Sequence, residues 1–575
     1  MRKILFRCDG GSLPEIGTGH VVRCLLLADK LRGSKEFDVA FLMKDYAEGI
    51  KYVVDRGYKV YKIPLERDEL EEIVNTIKNF SPEILVIDKL DTKEDYMKKI
   101  KKTGVVVITL DDVGPGQKYA DITINAILES GISLYEGPRY IVLPKMKHKE
   151  IKEIEPKDVK RIFLSFGGYD YLNITLKAMK ALENLDERIE IIVVIGGAYK
   201  YQNELNNFLK QSKRNFSAYF QPKNFSELFD QADMAIVSGG LTLFEAMARG
   251  IPSMVVAQYE HQTETARKYE DRGATIYLGN GNSLDDKTVY ARVNELIKNK
   301  DLRKSLMKNG MLLVDGLGLE RVFNLVRIVS ILEWDTAFFG FKTARLHPLR
   351  LNEDIIKYAI NYCKKEDVDV MYYLADCHDP LSVKLAEKYS FHFTDIRLTF
   401  NLDLEDYTPK KVGNGFIIRE SSLNDIPALR KIAEKSHVDS RYYFDQNYPR
   451  EACEKFYSDW IEKSCRGFAD KVFIAEMNGR IVGYITCNKK PNVNSPRGCG
   501  EIILVGVGES AREKNIGTNL IYRALNWFHD EKIRKVTVVT QGRNYGAQRL
   551  YQKCGFKTIL TQLWYHKWFK KNHGG

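Results

Sequence analysis

Along the first 325 or so residues, short apolar, β-branched runs alternate with stretches of helical period. The runs are Lys3–Arg7, Val39–Met43, Ile84–Asp88, Val105–Leu110, Ile162–Phe166, Ile191–Ile195 and Met234–Val237. Fully apolar strands separated by helices predict parallel α/β layers rather than half-exposed hairpins. The pattern resets between Pro144 and Pro156, where Lys, Glu and Pro replace the apolar period, so two α/β lobes are expected, over residues 1–150 and 151–330. Beyond residue 330 the rhythm becomes α+β, with more aromatics and longer strands. A break at Leu404–Asn414 separates a segment 331–405 from a segment 415–575. Both segments end alike, in Ala386-Glu387-Lys388-Tyr389-Ser390-Phe391 and Leu550-Tyr551-Gln552-Lys553-Cys554-Gly555-Phe556, which points to a duplication whose first copy is degenerate.

Composition narrows the function classes. The chain has 575 residues, 44% hydrophobic and 29% charged, an ordinary globular balance. Its net charge, 88 − 77 = +11, is diluted over this length, and no basic stripe interleaved with aromatics argues for nucleic acid. Nine Cys without a Cys-x-x-Cys pair predict reduced thiols rather than a zinc site, so no metal is expected. No apolar run is long enough to span a bilayer, and the N-terminus turns polar too early for a signal peptide, so a cytoplasmic location is expected.

In parallel sheets ligands gather at the carboxyl ends of strands. In the first lobe that place holds Asp9, then Ile16-Gly17-Thr18-Gly19-His20 leading into a helix over Val21–Leu31. Gly17 and Gly19 allow a ligand close to the backbone, the helix start offers N–H groups to an anion, and His20 is suited to general base work. A helix-capping His20 is the alternative. In the second lobe, Ser165-Phe166-Gly167-Gly168 and Ser238-Gly239-Gly240-Leu241-Thr242 are glycine turns after strands, with Glu245 one turn on. Such turns suit a diphosphate and such a carboxylate a ribose, although glycines can also serve packing alone.

These residues resemble a family. Arg7 to Cys24, Ser165 to Asp170 with Asn173, Ser238 to Glu245, and Asp315-Gly316-x-Gly318 with Arg321-Val322 are similar to the nucleotide-sugar hydrolases of pseudaminic acid synthesis. The resemblance implies a two-lobed GT-B fold over residues 1–325, with UDP held by the second lobe and His20 activating water at the anomeric carbon. Two positions depart from the family: Asp88-Lys89-Leu90 stands where an Asp-x-Tyr turn is usual, and His261-Gln262 where an Asn-Gln pair is usual. Both fall at the expected sugar site. Transfer of the sugar to an acceptor, or binding without catalysis, therefore stay open beside hydrolysis.

In the last segment, a strand over Ile502–Val507 is followed by Arg512-Glu513-Lys514-Asn515-Ile516-Gly517-Thr518 and an amphipathic helix over Asn519–His529. The helix start again suits a pyrophosphate. Asn544, Ala547 and Tyr551 follow at helical spacing, and the tyrosine hydroxyl can protonate a leaving thiolate, unless Tyr551 is only a core aromatic. The combination resembles the GNAT N-acetyltransferases. It implies acetyl-CoA as co-substrate, held by Val505, Val507, Arg512, Asn515, Gly517, Thr518 and Asn544, with Tyr551 as acid. The family usually has Gly at position 515; Asn is expected to adopt the same left-handed backbone. Leu332-Glu333-Trp334-Asp335-Thr336, Phe338-Phe339-Gly340, Asp459-Trp460-Ile461-Glu462, Arg466-Gly467 and Thr540-Gln541 extend the likeness to acetyltransferases of dTDP-linked 4-amino-4,6-dideoxygalactose. Together the halves predict a bifunctional enzyme of nonulosonic acid synthesis, acetylating a UDP-linked amino-deoxysugar and releasing UDP.

Overall fold

The structure, a computed structural model, describes residues 1–11, 19–146, 155–214, 216–413, 415–492 and 495–570. It divides into two compact units, Met1–Val326 and Arg327–Gly575.

The first unit holds two parallel sheets. One has seven strands in the order Lys59–Ile63, Phe37–Lys44, Arg2–Cys8, Ile84–Asp88, Val106–Leu110, Ile122–Asn125 and Tyr135–Glu136. The other has six: Phe216–Phe220, Glu190–Ile195, Arg161–Ser165, Met234–Ser238, Ser253–Ala257 and Ile276–Asn280. In each sheet the strand order reverses beside the first strand. The crevices at the carboxyl ends there, next to Cys8 and Asp88 in one sheet and Ser165 and Ser238 in the other, are where such sheets hold ligands. The central strands are buried on both faces, which is why they read as unbroken apolar runs.

Helix Gly318–Arg327 returns to the first lobe. A Cβ on Gly318 would sit 2.0 Å from the Ile141 carbonyl oxygen, so only glycine permits this approach. Asp315 accepts from Arg321 and from the Leu317 N–H, and Arg321 donates to the Arg139 carbonyl at 2.7 Å. Lys30 pairs with Glu320. The Asp-Gly-x-Gly motif thus seats this helix against Arg139–Ile141 of the first lobe.

The second unit is built on one ten-stranded sheet. Its order is Val329–Ile331, Thr343–Leu346, Val370–Asp376, Lys557–Trp568, His392–Asp403, Lys535–Gln541, Ser495–Val507, Arg480–Asn492, Lys471–Met477 and Ile417–Glu420. The last strand of the chain lies between two strands of the 331–405 segment, so both segments share one sheet. Alternation along the strands gives each face its own core. Phe400, Ile485, Ile502, Val536 and Val538 lie under helices Ile516–Asp530 and Tyr545–Lys553. Val370, Tyr372, Ile474 and Tyr484 lie under helices Ile426–Ser436 and Arg450–Lys463. Among the described residues no helix is long and apolar enough to cross a membrane, no disulfide joins the cysteines, and no group of three or more His, Cys, Asp or Glu is arranged to hold a metal.

Candidate functional site

The first lobe's site is built where helix Gly19–Gly33 begins. Val21, Cys24, Leu25 and Ala28 bury the inner face of this helix and fix its start beneath the strand ends. That start meets the second lobe directly: a Cβ on Gly19 would lie 3.8 Å from Cδ1 of Leu241, the first residue of helix Leu241–Arg249. Two helix N-termini therefore converge on one point of the cleft, and their first-turn N–H groups and dipoles favour an anion there. Gly17 lies outside the described residues.

His20 stands at this point. Its Nδ1 is 2.5 Å from Oδ1 of Asp88, whose carboxylate is wholly buried. A carboxylate only accepts, so Nδ1 carries the proton and Nε2 is left able to take one. The 3.2 Å approach of Arg23 Nη2 to Nδ1 then sets two donors side by side and is not a hydrogen bond. Asp88 also accepts from Arg23 Nε and Nη2 and from Cys24 Sγ at 3.3 Å, while Arg23 reaches on to Asp111. Burial pushes the Asp88 carboxyl up, but Arg23 and His20 outweigh it and hold it well below the usual carboxylate range. Asp88 thus stays charged and orients the imidazole.

Asp9, a candidate ligand residue, is committed elsewhere. It accepts from Arg7 Nη2 at 2.7 Å and from the Lys44 N–H at 2.8 Å, in a network in which Arg7 and Lys89 also bind Glu69. Burial opposes ionisation of Glu69, yet these cations bring it to about 2.

In the second lobe, Gly167 adopts φ 85°, a left-handed turn that its sequence Gly-Gly provides for. The neighbouring Gly168 packs on Gly196, whose added Cβ would lie 2.4 Å from the Gly168 Cα. Gly239 is pressed on Gln262: an added Cβ would come within 2.9 Å of Gln262 Cβ and 3.0 Å of its carbonyl oxygen. Buried Ser238 ends its strand, and Thr242 sits half-buried in the first turn of the helix that follows. Gln262 Oε1 accepts from the Gln258 N–H at 3.0 Å, and Gln258 Nε2 donates to the Phe166 carbonyl at 2.7 Å, so Gln262 ties the two glycine turns together. His261 stacks on Tyr259 at 5.5 Å. Burial, with His20 close enough to add to it, pulls the His261 imidazole below its ordinary value. The two histidines therefore share the cleft.

Glu245 accepts from the buried Arg249 at 3.0 Å. Burial nevertheless dominates and pushes its carboxyl up to about 7. Asp170, part of the same motif region, caps helix Ile174–Ala181 by accepting from the Ile174 and Thr175 N–H groups at 2.8 Å each.

In the second unit, strand Ser495–Val507 pairs with Lys535–Gln541 only from Cys499 to Ile502. On its other side the register shifts by one residue between Ile485↔Val505 and Cys487↔Ile502, a bulge at which the Leu504 N–H turns to Thr486 Oγ1 at 3.0 Å. The two strands consequently part after Ile502, and among the described residues no strand pairs with Val505 and Val507 on that side. Such a wedge can take an extended ligand by main-chain pairing. Asn515 has φ 57°, the left-handed conformation expected of it, and the helix starts at Ile516. This is earlier than the pattern suggested, and it puts Gly517 and Thr518 in the first turn, where their N–H groups face outward from the helix start. A Cβ on Gly517 would lie 3.1 Å from Leu550 Cδ2. Arg512 is exposed in the loop. Asn544 is the N-cap of helix Tyr545–Lys553, its Oδ1 accepting from the Ala547 N–H at 2.9 Å. Tyr551 is 4% exposed, with Phe400 at 5.8 Å and Phe556 at 6.0 Å, and burial raises its phenol well above the ordinary value, so it remains protonated.

Residues 146–312 match the family model "Glycosyl transferases group 1", and residues 429–556 match "Acetyltransferase (GNAT) family". Spore coat polysaccharide biosynthesis protein SpsG of Bacillus subtilis is 30% identical over 328 residues, covering 55% of this chain and 94% of that protein. The chain belongs to the SpsG family. Its first half is also homologous to the UDP-2,4-diacetamido-2,4,6-trideoxy-beta-L-altropyranose hydrolase of Campylobacter jejuni, 26% identical over 288 residues, 48% of this chain and 98% of that one. An uncharacterised protein of Methanocaldococcus jannaschii, MJ1062, is 34% identical over 295 residues, 48% of this chain, and this chain spans 60% of its length. The dTDP-fucosamine acetyltransferase of Escherichia coli is 29% identical over 145 residues, 25% of this chain and 59% of that protein. The SpsG-family half has GT-B-like parallel sheets, and the second half carries a GNAT domain, whose family implies the use of acetyl-CoA.

Proposed function

We propose that the chain is a bifunctional enzyme of nonulosonic, pseudaminic-type sugar synthesis. Its second unit acetylates the amine of a UDP-linked amino-deoxysugar, and its first unit hydrolyses the acetylated product at C1, releasing UDP. The observation that carries the reading is the His20–Asp88 pair at the meeting of two helix N-termini. There a diphosphate leaving group and a base for water are wanted within one small volume. Asp88 accepts the Nδ1 proton of His20 and so turns Nε2 toward the attacking water as its proton acceptor, and the helix starts at Gly19 and Leu241 offset the charge that builds on the departing diphosphate. Gly167, Gly239 and Thr242 present backbone N–H groups to UDP, and Glu245 takes the ribose hydroxyls. In the second unit, acetyl-CoA would supply the acyl group from a seat formed by Val505, Val507 and the Arg512–Thr518 loop, and the Tyr551 hydroxyl holds the proton for the departing thiolate. Segment 331–405 is in this reading a degenerate first copy, and the enzyme works in the cytoplasm.

A second reading, supported by the glycosyltransferase-group match over residues 146–312, passes the sugar to an acceptor hydroxyl instead of water. Incubation with UDP-linked 4-amino sugars, with and without acetyl-CoA, separates the two by product mass. Free N-acetylated sugar, UDP and coenzyme A support hydrolysis; UDP without free sugar supports transfer.

A further inference from the structure

The face of the ten-stranded sheet opposite Tyr551 carries positive charge that its neighbours leave unpaired. The strand register puts Arg345 beside Tyr372, Tyr372 beside His566, and Arg397 beside Gln562. Because residues 562, 564 and 566 point to one side of their strand, Arg345, Arg397, Tyr372, Trp564 and His566 all share that face. Arg441, from the short helix Arg441–Phe444, lies over it, its guanidinium carbon 3.9 Å from the Trp564 ring centre and 4.2 Å from that of Tyr372. His566 Nδ1 donates to Asp445 at 2.7 Å, which leaves Nε2 to accept from Arg441 at 3.2 Å. Arg397 donates to Gln562 Oε1 at 2.8 Å, a neutral partner.

Among the described residues, no carboxylate oxygen lies within 4.0 Å of Arg345, Arg397 or Arg441. Neighbouring Arg543 differs, since Asp395 at 3.7 Å and the Thr394 carbonyl at 2.7 Å hold it. Asp335 and Glu501 act on the three only at longer range. Crowding of its charged end, and then the nearby Arg441 and Arg397, pull the Arg345 guanidinium below its ordinary value, with the more distant Asp335 opposing them. Arg345 is still exposed to solvent. An open patch with clustered, unneutralised guanidinium groups is prepared for an anion from outside, and their planar forks match phosphate oxygens in pairs.

Its position relates it to the acetyl-transfer site. Arg397 pairs with Gln541, on the strand that parts from Ser495–Val507 after Ile502, so the patch borders the wedge from the face opposite helices Ile516–Asp530 and Tyr545–Lys553. We propose that Arg345, Arg397 and Arg441 bind the diphosphate of the acetyl acceptor, a nucleoside-diphosphate amino sugar, which enters the wedge from the face opposite the coenzyme. This rests on the reading of the second unit given above, and it adds a second nucleotide site to the chain.

Calorimetric titration of the full chain with UDP, and separately with dTDP, tests it. Two nucleotide sites per chain are expected with at least one of the two nucleotides. The variant Arg345→Ala/Arg397→Gln weakens one of them by at least roughly tenfold, Gly239→Ala removes the other, and saturating coenzyme A displaces neither. Arg345→Ala alone, at a solvent-exposed position, gives the same direction should the double variant fold poorly. A single site with both nucleotides, two unaltered sites in the arginine variants, or displacement of the arginine-dependent site by coenzyme A would each overturn the proposal. Acetyl transfer is followed in parallel on UDP- and dTDP-linked amino sugars. Two sites without transfer to any of them would sink the acetyl-acceptor reading while leaving the arginine site standing.

Discussion

The Nδ1 of His20 lies 2.5 Å from the buried Oδ1 of Asp88, and that contact decides which nitrogen of the imidazole can act. Asp88→Asn keeps the shape but can present its amide instead of an acceptor to Nδ1, so the ring loses its fixed tautomer. UDP release is expected to fall by roughly 10²–10⁴, the range for a lost general base. His20→Ala gives a similar loss with acetyl transfer intact. Wild-type release in either variant, followed by UDP chromatography, would remove the base from this site.

Asp88→Asn also acts on stability, because it leaves the buried Arg23 with Asp111 alone. Breaking a buried pair costs about 3–5 kcal/mol. The folded carboxyl is held below its unfolded value, so its stabilisation is complete above about pH 4 and is lost as pH falls further. Melting temperatures from pH 7 down to pH 3 are therefore expected to drop more in the wild type than in Asp88→Asn. Equal slopes would contradict the assignment.

Glu245 has the opposite sign. Its carboxyl is raised from 4.5 to about 7, so the folded state holds the proton more firmly than the unfolded chain. Stability then declines as pH rises from about 4.5 to about 7. Glu245→Gln should melt higher than wild type at pH 8 and about the same at pH 4, while raising KM for the nucleotide sugar with little change in kcat. A fall in kcat at constant KM would argue against a ribose contact.

At Asn515 the left-handed backbone can be tested by substitution. Asn515→Gly should keep stability and coenzyme A affinity, and Asn515→Ala should lose about 1 kcal/mol and weaken the coenzyme. Equal behaviour of the two variants in thermal melts and coenzyme titration would show that the conformation is immaterial.

Tyr551→Phe retains the packing against Phe400 and Phe556 and removes only the hydroxyl. Folding and coenzyme A affinity are expected to be unchanged, with kcat for acetyl transfer down by roughly 10²–10⁴. A kcat near wild type would make Tyr551 a core aromatic.

The parts of this protein that stood out in its sequence were those with strong local grammar. Fully apolar runs such as Ile84–Asp88 and Met234–Ser238 identify themselves because both faces are buried. Lys59–Ile63, only partly buried and carrying two exposed lysines, has no such signal, and it pairs only because Phe37–Lys44 offers it an edge. His20 was visible from its glycines, whereas its partner Asp88 lies 68 residues away and is revealed only as a charged strand end until the sheet brings the two together. Asp9 and Asn544 fit motifs yet are taken up by Arg7 and by a helix cap. The arginine face was not legible at all. Arg345, Arg397 and Arg441 belong to three distant segments, and only strand register and a short covering helix gather them.

The central step is attack of water on C1 of a nucleotide-linked sugar beside His20. Hydrolysis of the acetylated UDP-sugar in ¹⁸O-labelled water, with both products analysed by mass spectrometry, tests this most directly. One ¹⁸O is expected in the free sugar and none in UDP, with loss of the labelled sugar in His20→Ala. Label in UDP, or sugar transferred to an acceptor without label, would contradict it.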